Sequence, residues 1–437
     1  AYLFAHNDDD GGFGEPGDQD IIKCDSYTGN GGSTETGSPL AAIDVGFEPQ
    51  LLMIKRASGA GNWLLIDNMR GFDVNIANKP GLLWNTNDAE ASSASKVLLT
   101  SSGFRIEDTD AEINSNNDTY IYMAIRRGGM QTPTAASDVF AIDTMGSTGD
   151  GNAPSFRSTF PLDMGMRVDT AEANTEIAAR LTGTKWQYTN TNDQQANLNQ
   201  NKFDYQNGWM TFTSTASNYH GLMWARARGY FDVVGYTGGN LSSGVLKHNL
   251  GVKPEMVWIK QRNQINSTDR EWAVGMPDIL GIDNNTLSLN NNYANTTLNY
   301  NMFNTTGGQT TTQIKLHGNE NGISSNAGDY IAYLFATVAN VSKVGSFTQS
   351  GATNVACGFT GDTPALIILK RTDATGDWYL FDSTRGIVAG NDKSKYLNTN
   401  AAQITNADIV DPYSGGFATT SSLTNGSYIF YAIASIS

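Results

Sequence analysis

Short apolar runs alternate along this chain with polar turns rich in glycine and asparagine, and the runs recur in a fixed order. Tyr330-Ile331-Ala332-Tyr333-Leu334-Phe335-Ala336 follows a turn containing Asn326 and Gly328. Tyr120–Arg126, Tyr219–Ala225 and Tyr428–Ala434 are relatives of it, and Tyr2-Leu3-Phe4-Ala5 repeats residues 333–336 letter for letter. Each reads as the closing strand of one unit, so the chain is expected to begin inside a unit.

A second run is led by proline, as in Pro49-Gln50-Leu51-Leu52-Met53-Ile54-Lys55-Arg56. Proline is tolerated at a strand entry, and four consecutive apolar residues predict burial on both faces. Pro161, Pro254 and Pro364 lead similar runs, and a basic residue stands six positions after every proline: Lys55, Arg167, Lys260 and Lys370. That spacing predicts one strand register common to all units. Glycine-aromatic pairs follow further on, at Gly103-Phe104, Gly208-Trp209 and Gly416-Phe417. Trp63, Asp67 and Arg70 of the first unit recur as Trp378, Asp382 and Arg385 of the last at a constant offset of 315.

Stripes at helical spacing are scarce, whereas turn residues punctuate short strands, so the predicted class is all-β. The prolines stand 112, 93 and 110 residues apart, the size of a two-sheet sandwich. The expected architecture is four tandem β-sandwich, jelly-roll-like repeats of about 95–115 residues. They occupy residues 23–128, 129–229 (divergent), 230–339 and 340–437, with residues 1–22 holding the end of a preceding unit and an acidic, glycine-rich linker. Arg228-Gly229-Tyr230-Phe231 passes from a closing strand directly into the next opening strand. Neighbouring units are therefore expected to pack on one another.

The chain has 28 Lys and Arg against 43 Asp and Glu, a net charge of -15. This balance disfavours a phosphate-backbone partner, which needs clustered cations. Cys24 and Cys357 fall at unmatched places in their units, which excludes a disulfide framework. No apolar run approaches the ~20 residues that span a bilayer as a helix, so membrane insertion is not expected.

Asp8, Asp9, Asp10, Asp18 and Asp20 lie in a glycine-rich loop of the kind that binds Ca2+ through oxygen ligands. The loop matches no EF-hand spacing and lacks the closing carboxylate, so a solvated linker is the competing reading. The Trp63/Asp67/Arg70 and Trp378/Asp382/Arg385 sets also carry two readings. An Asp three residues before an Arg-Gly pairs with the Arg across a turn, with the Trp packed beneath. Alternatively the Trp stacks on a sugar while Asp and Arg bond its hydroxyls. His6, His220, His248 and His317 show no ligand spacing with one another or with cysteine, so no metal or cofactor is called from them. The nucleophile elbow, the P-loop and the dinucleotide fingerprint are missing, and no enzyme is predicted. The Lys55-Arg56, Lys260–Arg262 and Lys370-Arg371 strand ends read as solvated edges.

With these residues in view, the chain resembles a family of structural proteins of tailed bacteriophages, some labelled tail fibre or minor tail proteins. The resemblance lies in Tyr2–His6, Gly12-Phe13-Gly14, Gly17–Cys24, Tyr120–Arg127, Phe231–Lys260 and Tyr330–Tyr428. It implies a virion component of repeated β-sandwich domains, which in relatives often follow a concanavalin- or laminin-G-like domain. The family brings no established active site. The expectation is a non-enzymatic tail-fibre or appendage protein that meets the host surface. Its expected partners are other virion proteins, two further copies in a homotrimer and a host-surface glycan or receptor. A capsid-associated decoration or head-fibre protein and a glycan-binding or glycan-cleaving tailspike are the alternatives.

Overall fold

A computed structural model of the chain describes residues 4, 21–32, 40, 42–69, 79–94, 97–106, 108–128, 130–145, 154–197, 201–211, 218–238, 244–263, 271–282, 286–294, 301–304, 308–318, 323–324, 328–361 and 363–436. Among these residues regular structure is β-strand, apart from two single-turn 3-10 segments at Ala136–Asp138 and Arg180–Thr182. The class is all-β, built from antiparallel sheets as a sandwich-type fold. The chain divides into two compact units. One holds residues 1–129 with 180–184 and 234–236, and the other holds 130–179, 185–233 and 237–437.

In the first unit a six-stranded sheet runs in the order Ile22–Thr28, Thr119–Arg126, Pro49–Arg56, Trp63–Asp67, Lys79–Leu83, Ala91–Ala94. A three-stranded sheet of Ile43–Asp44, Gly103–Ile106 and Val97–Thr100 completes the sandwich. Side chains alternate across a strand, so Leu52, Ile54, Leu64, Ile66, Tyr120 and Tyr122 fall on one face of the large sheet and meet Phe104, Ile106 and Val97 in one core. Tyr27 stacks on Tyr120 at 5.1 Å, and Phe104 meets both Tyr27 and Tyr122 edge-on. The last repeat rebuilds this cluster from Phe347, Tyr428, Phe417 and Phe430.

The same sheet order recurs in the other three repeats. In the last repeat it runs Ser342–Gln349, Gly426–Ile433, Leu366–Arg371, Trp378–Asp382, Asp392–Tyr396, Ile404–Ala407. The second repeat has Phe140–Thr144, Tyr219–Trp224, Met164–Asp169, Glu176–Ala179, Lys185–Tyr188, Ala196–Asn197, and the third has Phe231–Thr237, Asp329–Phe335, Met256–Gln261, Ala273–Gly275, Leu287–Ser288.

The glycine-aromatic pairs have a steric origin. A Cβ on Gly103, Gly208 or Gly416 would lie 1.9, 2.2 or 2.0 Å from a carbonyl oxygen of the partner strand, at Ile43, Phe156 and Val355 respectively. Only glycine lets the two backbones come this close. The following Phe104, Trp209 or Phe417 then enters the core.

One sequence expectation is corrected in the second repeat. Leu366 and Met256 begin the pairing of their strands two residues after the proline, whereas Met164 begins it three residues after Pro161. Val168, not Arg167, therefore occupies the place of Lys260 and Lys370. A one-residue slip sends a side chain to the opposite face. Arg167 there forms a buried ion pair with Glu176, directly opposite on the next strand, and lies 4.8 Å over the Tyr219 ring. Trp186 of the second repeat does not occupy the place of Trp378. It sits one strand later, and Thr175 holds that place, since Thr189 N donates to Thr175 O as Leu397 N donates to Trp378 O.

Within the second unit the repeats pack through equivalent positions. The Trp272 indole of the third repeat donates to Tyr188 O of the second at 2.7 Å, and Trp378 of the fourth donates to Ser288 O of the third at 2.8 Å. Lys260 Nζ reaches Thr191 O at 2.9 Å, and Lys370 Nζ reaches Tyr293 O at 2.8 Å. The second repeat turns the same edge toward the fourth. Gln403 N donates to Thr170 O at 3.0 Å, matching Gln195 N to Arg262 O at 2.9 Å, and Lys395 Nζ donates to Ala171 O and Ala173 O. Fourth on third, third on second and second on fourth make a closed cycle. This overturns the solvated reading of the basic strand ends in the third and fourth repeats: Lys260 and Lys370 are buried because backbone carbonyls of the adjacent repeat take ammonium protons that water would otherwise accept, and Arg262 is buried with its Nε donating to Gln195 Oε1 at 2.9 Å.

Candidate docking face on the first repeat

The outward side of the first repeat's large sheet follows from the two-residue period. Cys24, Met123, Met53 and Leu65 lie opposite one another on successive strands, and Ser26, Ile121, Lys55 and Trp63 form the next row. Trp84 follows, its N-H donating to Trp63 O at 2.9 Å. Cys24, Ser26, Met53, Ile121, Met123, Trp63 and Trp84 line, with Phe4, an apolar groove of about 720 Å³. Trp63 is 37% exposed, Ile121 41% and Trp84 57%. Their counterparts in the last repeat are Trp378 at 1%, Ile429 at 1% and Leu397 at 0%. One surface of one fold is open in the first repeat and covered in the last.

Local geometry holds the groove in shape. Trp63 N donates to Asn85 Oδ1 at 2.9 Å, as Trp272 N does to Asn290 and Trp378 N to Asn398, so an Asn side chain fixes the hairpin entry each time. Lys55 Nζ donates to Arg56 O at 2.6 Å, just as Lys370 Nζ does to Arg371 O. Burial raises the pKa of Cys24 and pushes Cys357 up to about 12, so both free cysteines stay as weakly nucleophilic thiols.

The candidate glycan-contact residues separate. Asp382 is fully buried and accepts from Arg385 N at 2.8 Å, its other oxygen pairs with Arg385 Nε, and Arg385 Nη2 donates to Leu380 O at 3.1 Å. This set staples a turn, and Trp378 is buried beside it with its N-H spent on Ser288. In the first repeat Trp63 is open, Asp67 accepts from Met69 N at 3.0 Å in its own turn, and Arg70 lies outside the described residues. Trp84, Ile121, Met53 and Met123 belong to the groove but were not singled out by motif. The signal for Met53 was the run Leu51–Ile54, and for Ile121 and Met123 the run Tyr120–Ile125, each apolar on both faces of a strand.

Among the described residues no group of three or more His, Cys, Asp or Glu is placed to hold a metal ion, and the loop of Asp8, Asp9, Asp10, Asp18 and Asp20 lies outside them. Burial depresses the pKa of His220 and His248, and His248 Nδ1 accepts from Leu250 N at 3.2 Å, which fixes it as a turn residue in its neutral form. No helix among the described residues is long and apolar enough to cross a membrane.

These features define an all-β repeat protein in which Lys260, Trp272, Lys370 and Trp378 join one repeat to the next. A family model matches residues 18–127 and 164–436, and the chain belongs to that family, described as Domain of unknown function (DUF7483). Searches of curated proteins and of solved structures find no match.

Proposed function

We propose that the chain is a structural component of a tailed-bacteriophage virion, in a tail fibre or other appendage that meets the host surface, and that its repeats serve assembly rather than catalysis. The observation that carries the assembly role is the use made of Lys260, Lys370, Trp272 and Trp378. Their polar atoms all bond backbone carbonyls of an adjacent repeat. A buried ammonium held by carbonyls fixes position and orientation, which suits a rigid building block. The placement in a virion rests on the resemblance of residues 2–24, 120–127, 231–260 and 330–428 to phage structural proteins.

Antibody labelling of purified particles tests the placement. Label on the tail or its fibres is the expected result. Label on filled heads would move the same modules to the capsid, and absence from purified particles would refute the proposal. Release of reducing sugar from host polysaccharide by the purified chain would refute the non-catalytic part.

A further inference from the structure

We infer that the open face of the first repeat is an interface between copies of this chain, and that it closes three chains into a ring. This rests on repeat geometry and is independent of residence in a virion. The contact between repeats in the second unit is head-to-tail. One repeat offers the hairpin edge that carries Trp272 or Trp378. The next offers the turn after its following strand, at Tyr188–Gln195 or Ser288–Tyr293. A head-to-tail contact generates a ring or a filament according to its rotation. Here it closes after three members, because the second repeat returns the contact to the fourth through Thr170, Ala171 and Ala173. That cycle is complete.

The first repeat has both halves of the same contact. Trp63 and Lys55 stand where Trp378 and Lys370 stand, and the turn from Trp84 to Glu90 matches Leu397–Gln403 and Thr189–Gln195 in length and in its opening hydrogen bond. Both halves face outward: Trp63, Trp84 and residues 85–90 are exposed, as is Ala57, the counterpart of Arg262 and Thr170. A surface with complementary halves, whose relatives close at three, is filled by the first repeats of two other copies. In that ring the Trp63 indole donates to the Leu83 carbonyl of the next chain, the place taken by Ser288 O and Tyr188 O. Lys55 reaches the carbonyls of its turn.

The expected result by light scattering on the full chain is a mass three times that of one chain, and Trp63→Asp should reduce it to one chain mass with unchanged circular dichroism. Crosslinking tests the geometry independently of any loss of fold. Gln195 N and Arg262 O bond at 2.9 Å, so their counterparts Glu90 and Ala57 should adjoin between chains, and Ala57→Cys with Glu90→Cys should give covalent trimers on a non-reducing gel. A single-chain mass for the wild type at all concentrations would overturn the inference. So would a trimer indifferent to Trp63→Asp, or crosslinks confined within one chain. A groove shielded from quenchers in a monomer means that another occupant, such as residues 1–20 or a glycan, fills it, which equally overturns the inference.

Discussion

Replacing Lys370 by Met tests whether a buried ammonium held by carbonyls joins the third and fourth repeats. Lys370 is fully buried, and its Nζ donates to Arg371 O at 2.7 Å, Tyr293 O at 2.8 Å and Asn292 O at 3.4 Å. Burial pushes its pKa down to about 8, with Asp377 opposing and Arg371 adding to the shift. In the unfolded chain the group titrates near 10.4. The folded pKa lies below the unfolded one, so the penalty for holding the charge is fully present below pH 8 and is relieved as pH rises toward 10.4. Stability from this group therefore increases with pH. Between about pH 7.5 and 9.5 the gain is about 2 kcal/mol. Tyr27, Tyr122, Tyr333 and Tyr431 have pKa values raised by burial and stay protonated across this window. Lys395 is also pushed down to about 8, but it is common to both proteins and drops out of the difference. At neutral pH the variant loses two short charged hydrogen bonds, each worth about 1.5–3 kcal/mol, and escapes the desolvation cost, so the two nearly cancel. The assay is urea unfolding followed by tryptophan fluorescence at several pH values. The stability of wild type minus that of Lys370→Met should rise by about 2 kcal/mol across the window. A flat difference would falsify the reasoning.

Two further outcomes follow from single contacts. Asp382→Asn leaves the buried Arg385 guanidinium without its carboxylate and should cost about 3–5 kcal/mol in denaturant unfolding, with the double change Asp382→Asn and Arg385→Met costing less than the single one. Gly416→Ala places a Cβ 2.0 Å from Val355 O, which no side-chain rotation relieves, so the strand must shift at a cost of at least about 1–3 kcal/mol, visible as a lowered Tm. A Tm unchanged by Gly416→Ala would mean that the two strands do not approach as described.

How much could be read in advance depended on how far each interaction reaches along the chain. The all-β class, the closing strands, the proline-led strands and the Asp382–Arg385 turn are local, set by alternation and by contacts three residues apart. The register of the second repeat was not, because one inserted residue between Pro161 and Met164 moves Arg167 to the other face, and spacing counted from proline does not register where pairing starts. The burial of Lys260 and Lys370 was hidden for a different reason. A strand ending in Lys-Arg has the same letters whether water or a neighbouring repeat accepts its protons, and the acceptors at Thr191 and Tyr293 stand about seventy to eighty residues away. Trp63 and Trp378 make the point most sharply. They share neighbours, hairpin and Asn clamp, yet one is open and the other sealed, and what differs is a carbonyl supplied by another repeat, Ser288 O in the case of Trp378. At Trp272 and Trp378 the indole N-H meets a backbone carbonyl of another repeat, so at these two positions the motif serves the packing of repeat on repeat, and its letters alone do not distinguish that use from the open Trp63.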